Sequence, residues 1–210
     1  MIATSAVRGV IALSLLVGTG SPGSPVGDHP WETDAVREPS FQTDGNCLIR
    51  NVTIHSAVGA AFEGSVLVRN GKIAQIGADL ALPAGFVDVD GRGGHLSPGV
   101  VDCHSHMAID GGVNEGTLSI TCDVDISDTL DAEDLTIYRA LAGGATAARL
   151  LHGSANTIGG RHEVIKLRWN APTESLRIPD APEGVKFALG ENPKRAGGGR
   201  GGGRFPGTRM

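Results

Sequence analysis

Aromatic side chains are scarce in this chain: five Phe, two Trp and one Tyr among 210 residues. With glycine abundant at 32 residues, that favours tight turns and loops over an aromatic-rich sandwich core. Cysteine is also sparse. Cys47, Cys103 and Cys122 have no paired spacing, which excludes a cysteine-built structural zinc site, and their odd number argues against a disulfide framework. All three read as small buried hydrophobes. Basic charge is not in excess, and a formal net charge of −5 excludes bulk binding to nucleic acid or to a membrane surface. Long apolar runs are missing too. The run Gly9 to Val17 is too short to span a bilayer, which takes about 20 residues.

That short run has another reading. It follows Arg8 and precedes the small residues Gly18-Thr19-Gly20-Ser21. This is the pattern of an export signal, so the chain is expected to be periplasmic or extracellular, without a stable membrane anchor. Residues 1–27 are taken as the signal and the start of a linker, and residues 28–45, rich in Pro, Gly, Asp and Glu, as the linker itself.

From Cys47 the pattern turns to strand. Branched residues alternate over Cys47 to His55, and Gly64 to Arg69 and Lys72 to Gly77 flank Asn70-Gly71, a strong two-residue hairpin signal. Phe86 to Asp90 is a fourth expected strand, ended by a Gly-rich turn. Residues 46–95 are therefore expected to form a small antiparallel β-module, too small for a complete sandwich. Beyond it, Gly99 to Val101, Ala145 to Leu151, Val164 to Arg168 and Val185 to Leu189 are short apolar strands. A helix is expected between the first two, with Asp131 as N-cap, Glu133 and Asp134 in its first turn, and a stop at Gly143-Gly144. Strands alternating with helix or loop point to βα units and a parallel sheet over residues 96–210. The Gly/Arg-rich tail, residues 196–204, reads as a flexible loop rather than an RNA contact.

The chemistry concentrates in Asp102-Cys103-His104-Ser105-His106. On an extended strand, residues i and i+2 share a face, so His104 and His106 aim both imidazoles at one point. Imidazole suits zinc, iron and nickel. Asp102 shares that face and is placed to orient a histidine or touch a metal-bound group. His29, His55, His95 and His162 stand in no motif.

Preceded by Pro98-Gly99, this motif resembles the first metal-binding motif of the amidohydrolase superfamily. The segments Asn51 to Ile54 and Val66 to Gly77 resemble that family's N-terminal β-module, and Ala142 to Thr146 its second barrel strand. Leu151 to Gly160 and Lys186 to Arg195 resemble segments of its imidazolonepropionase-related members. The resemblance implies an α/β fold, a partial (β/α)8 TIM-type barrel preceded by a small antiparallel β-sandwich module. It implies a hydrolase of C–N bonds other than linear peptide bonds, acting on a small molecule such as a cyclic amide or a dipeptide-like compound through a metal-activated water. One or two divalent ions, zinc foremost, would be held by His104 and His106. Lys186 would be the bridging, carboxylated lysine, with Glu191 as the alternative. His152 and Asn156 are candidate substrate contacts, and Asn114 and Glu115 lie in the loop after the first barrel strand.

The resemblance also sets a limit. A (β/α)8 barrel needs about 250 residues by itself, more than follow Leu96. The family's later metal histidines and its catalytic aspartate have no counterpart here. A truncated product is the expectation, with little or no hydrolysis on its own and with open strand edges that favour association into homo-oligomers or aggregates. The competing expectation is a non-catalytic exported binding module that keeps a vestigial metal motif.

Overall fold

The computed structural model describes Arg37 and residues 42–195. The expected export signal, most of the linker and the Gly/Arg tail lie outside the described residues. The chain divides into two compact units, Met1–Gly99 and Val100–Met210. Among the described residues no helix is long and apolar enough to cross a membrane.

The first unit is a four-stranded sheet of β1 (Cys47–Ile54), β2 (Phe62–Arg69), β3 (Lys72–Gly77) and β4 (Val87–Leu96), in the order β3-β2-β1-β4. Asn70 and Gly71 join β2 to β3 with φ of 52° and 69°, the two positive angles a type I′ turn requires. Cys47, Ile49, Val52, Ile54, Val66, Val89 and Leu96 bury together on one face. Strict alternation would turn Val52 and Ile54 outward from Ile49. Asn51, at φ 59°, inserts a bulge that resets the parity and returns both to the core.

Two expectations fail here. The sheet is mixed: β1–β2 and β2–β3 run antiparallel, but β1–β4 runs parallel. And β4 does not stop at Asp90. Its glycines continue the strand to Leu96, because a Cβ on Gly91 would overlap Val52 Cγ1 and sit 3.1 Å from the Arg50 and Asn51 carbonyls. Gly91 marks a close strand-to-strand approach rather than a turn.

The second unit opens with β5 (Val100–Ser105), which lies parallel to β6 (Ala145–Leu150) across a connection containing α1 (Leu135–Ala142). β8 (Glu163–Lys166) pairs antiparallel on the far side of β6. β7 (Ile158–Arg161) and β9 (Val185–Phe187) make a separate antiparallel pair, and α2 (Asn192–Arg195) follows. Among the described strands of this unit, the expected parallel sheet is realised in β5–β6, while β6–β8 and β7–β9 run antiparallel. Ile137, Ala148, Leu150, Ile165, Leu167 and Leu176 form the centre of the core. Of the cysteines only Cys47 is buried, and Cys103 and Cys122 are exposed, against expectation.

The helix start is also displaced. Asp131 accepts the Glu133 N–H and caps a turn that precedes the helix. The N-cap is Asp134, whose carboxylate accepts from Thr136 N at 2.8 Å and from Ala108 N at 2.7 Å. It therefore satisfies the helix end and ties down the segment after β5 together. Burial alone would raise the Asp134 pKa, but the hydrogen bonds from Thr136 and Ala108, with help from Arg139, outweigh it and hold the carboxyl below its ordinary value. Asp134→Ala is expected to cost about 1–2 kcal/mol in urea unfolding at neutral pH. A depressed folded-state pKa contributes stability above the unfolded value of about 3.9 and loses it as pH falls through the folded value. The gap between wild type and variant should accordingly narrow below about pH 4; a gap that stays constant down to pH 2 would exclude the carboxylate as its source.

Candidate metal centre

The motif histidines sit at the C-terminal end of β5, His104 within the strand and His106 just beyond it. Three backbone and side-chain ties fix them. Asp102 Oδ1 accepts the backbone N–H of His104 at 3.0 Å, so this carboxylate holds His104 through its main chain rather than its ring. Leu151 N donates to Ser105 O at 2.9 Å, joining the ends of β5 and β6. The Leu151 carbonyl in turn takes His106 Nδ1 at 2.7 Å. A carbonyl only accepts, so His106 carries its proton on Nδ1 and leaves the Nε2 lone pair open, the arrangement a metal-ligating histidine needs.

The two rings lie edge to face, with centroids 5.3 Å apart and planes at 83°. Lys186, on β9 and only 8% exposed, brings Nζ to 3.1 Å from His104 Nε2. An ammonium only donates, so His104 receives on Nε2 as a neutral ring. The Lys186 charge first, then burial and His106, hold the His104 imidazole below the ordinary histidine range, against an opposing pull from Asp102. Burial first, then Arg149, lowers the Lys186 amine. The Lys186 charge thus keeps the His104 ring neutral, while burial of Lys186 favours giving up its own proton.

The structure thus brings together His104, His106 and Lys186, the last from 82 positions away. Glu191 stands exposed in the turn before α2. Among the described residues, no three His, Cys, Asp or Glu side chains group closely enough to hold a metal ion. The donor set at this point is two imidazoles and an amine. That set fits a divalent ion of the zinc type: one ring is pre-oriented by a carbonyl, the other is neutral, and the buried amine is the nearest further ligand. A cleft of about 850 Å³ lies between Asp110, Asp131 and Thr173, and no histidine lines it.

His152 and Asn156 are buried, at 1% and 0% exposure. His152 Nε2 accepts the Glu115 N–H at 2.8 Å, and Nδ1 faces the Gly153 carbonyl at 3.0 Å. Asn156 Nδ2 reaches the carbonyls of Glu115 and Leu118 at 2.7 and 2.8 Å, while its Oδ1 has no partner. Asn114 Oδ1 accepts the Ala155 N–H. Through His152, Asn156, Asn114 and Glu115 the loop after β5 is locked onto the loop after β6. Gly153 is needed there, since a Cβ would overlap the Asn114 side chain. In this conformation His152 and Asn156 position the loop, and their polar atoms face protein. The orienting Leu151 carbonyl had no signal in the sequence, since a backbone group carries no residue identity.

No family model matches the chain. An amidohydrolase of Hapsidospora irregularis is 33% identical over 159 residues, 65% of this chain and 16% of that protein. The imidazolonepropionase of Polaromonas sp. (strain JS666 / ATCC BAA-500) is 44% identical over 59 residues, 27% of this chain and 14% of that enzyme. The crystal structure of an amidohydrolase from Thermotoga maritima MSB8 superposes with a TM-score of 0.65 at 39% identity, covering 71% of this chain and 40% of that one. The chain therefore spans well under half the length of the relatives it matches. A histidine pair at the end of a strand, a lysine packed on it and this likeness agree: over part of its length the chain is similar to amidohydrolases, which supports an amidohydrolase-superfamily member over that stretch.

Proposed function

We propose that the chain carries the first ligands of an amidohydrolase metal centre, and that the activity it serves is hydrolysis of a non-peptide C–N bond in a small cyclic amide or dipeptide-like substrate. The observation that carries this reading is the His106 Nδ1 to Leu151 carbonyl bond, which spends one ring nitrogen to present the other. His104 and His106 hold the ion. Lys186, once carboxylated, would be the bridging ligand, a role supported by its buried amine against His104. A divalent ion held there supplies Lewis-acid chemistry, bringing the pKa of water towards neutrality and polarising a scissile carbonyl. Asp102 and Leu151 keep both rings in place, and the His152–Asn156 staple shapes the loop above them. In the same reading the four-stranded sheet is one layer of a composite sandwich, β5, α1 and β6 open a (β/α)8 barrel, and the apolar Gly9 to Val17 run directs export.

With two imidazoles and one amine, hydrolysis by this chain alone is expected to be slow. The test is zinc-dependent hydrolysis of a panel of cyclic amides and dipeptide analogues by the purified chain, beside the Lys186→Ala variant with and without added bicarbonate. Turnover that depends on zinc and is lost in Lys186→Ala supports the reading. Turnover that survives both chelation and Lys186→Ala overturns it.

A further inference from the structure

The sheet of the first unit carries a second histidine pair that no sequence motif announces. His95 on β4 lies opposite Thr53 of β1 in the parallel register, and His55 follows directly after β1. His55 N donates to Leu96 O at 2.8 Å, fixing the backbone of both residues at the strand ends. Their side chains meet on the exposed face. His55 Nε2 lies 2.8 Å from His95 Nδ1, with ring centroids 5.1 Å apart and planes tilted by 40°. Glu63 pairs with Thr53 from the other side, which puts a carboxylate on the same face.

Nitrogens this close share one proton: one ring donates and the other presents its lone pair. When the donor ring takes its other tautomer, with that proton on its far nitrogen, a cation between the rings meets two lone pairs on one side of itself. At zinc–nitrogen distances of about 2.0–2.1 Å and a tetrahedral angle, the two nitrogens stand about 3.3 Å apart. That is about half an ångström wider than the hydrogen-bonded pair, a change that small side-chain rotations supply. The exposed setting leaves room for water at the remaining positions.

We propose that His55 and His95 form a second binding site for a first-row divalent cation such as zinc, separate in its residues from the His104–His106 centre and independent of the hydrolase reading. Imidazole-only coordination selects this class over magnesium and calcium, which take oxygen ligands.

Zinc titration of the chelator-stripped full chain by calorimetry tests it, in a His104→Ala/His106→Ala background that removes the other pair. The expected result is one remaining zinc per chain, weakened at least about tenfold when His55→Gln and His95→Gln are added, since even outer-shell changes at zinc sites cost that much. Absence of saturable binding in the first background, or binding unaffected by the two Gln substitutions, overturns the proposal. Should the fourfold variant not fold by circular dichroism, ring-nitrogen NMR of the wild-type chain decides: zinc-induced shifts at His55 and His95 support the site, and unmoved rings overturn it.

Discussion

Replacing His104 and His106 together by alanine should abolish zinc binding at the end of β5, a loss of at least about 100-fold in affinity, or roughly 2.7 kcal/mol. The measurement belongs in a His55→Gln/His95→Gln background, so that only one histidine pair reports. The size follows from the geometry. A single imidazole brought to a cation gives little, because the ring must first be ordered and the correct nitrogen exposed. Here both steps precede binding: the Leu151 carbonyl orders His106 and fixes its proton, and Asp102 fixes the backbone of His104. Removing both rings leaves the Lys186 amine as the one donor of the described set. A loss below tenfold would place the cation elsewhere and remove the main support for a metal centre on β5.

The second large effect is on folding. Leu150→Ala is expected to destabilise the second unit by about 2–5 kcal/mol, the cost of emptying a fully buried leucine site. Leu150 is fully buried on β6, the middle strand of the sheet β5-β6-β8, within a core of small and medium aliphatic side chains. Few aromatics are present to collapse into the space. Against a typical total of about 5–15 kcal/mol, the loss should move the urea midpoint by a readily measured amount. Because Leu150 pairs with Ser105 and adjoins Leu151, zinc affinity at the site should fall in step. A shift of less than about 1 kcal/mol would mean that the core is less tightly packed than its burial indicates.

The sequence made the local features readable and left the long-range ones dark. The β2–β3 hairpin was legible because Asn70-Gly71 demands one turn type and the flanking residues alternate. The stop of α1 was legible from Gly143-Gly144. Its start was not, since Asp131 and Asp134 are both good caps and the choice falls to Ala108, far outside the helix. Strand β4 was cut short because Gly91, Gly93 and Gly94 look like a turn, whereas the reason for Gly91 is the crowding of Val52, visible only once β1 and β4 lie side by side. The parallel sense of that pair leaves no local trace, so the meeting of His55 and His95 was unreadable. The β5 histidines were legible from strand periodicity alone. The placement of Lys186 against them was suggested by family resemblance, and physical spacing could not have supplied it.

The group that orients His106 belongs to the main chain. Any residue at position 151 supplies the same carbonyl, so a scan of side chains would pass over the contact without registering it. Mutational tolerance at Leu151 would therefore say nothing about its importance to the site. What protects the arrangement is the pairing of β5 with β6, which holds the carbonyl and the ring at one height along the sheet. An inserted or deleted residue in β6 would move the carbonyl by a full step, about 3.3 Å, and disconnect the ring while every side chain near the histidine pair stayed unchanged.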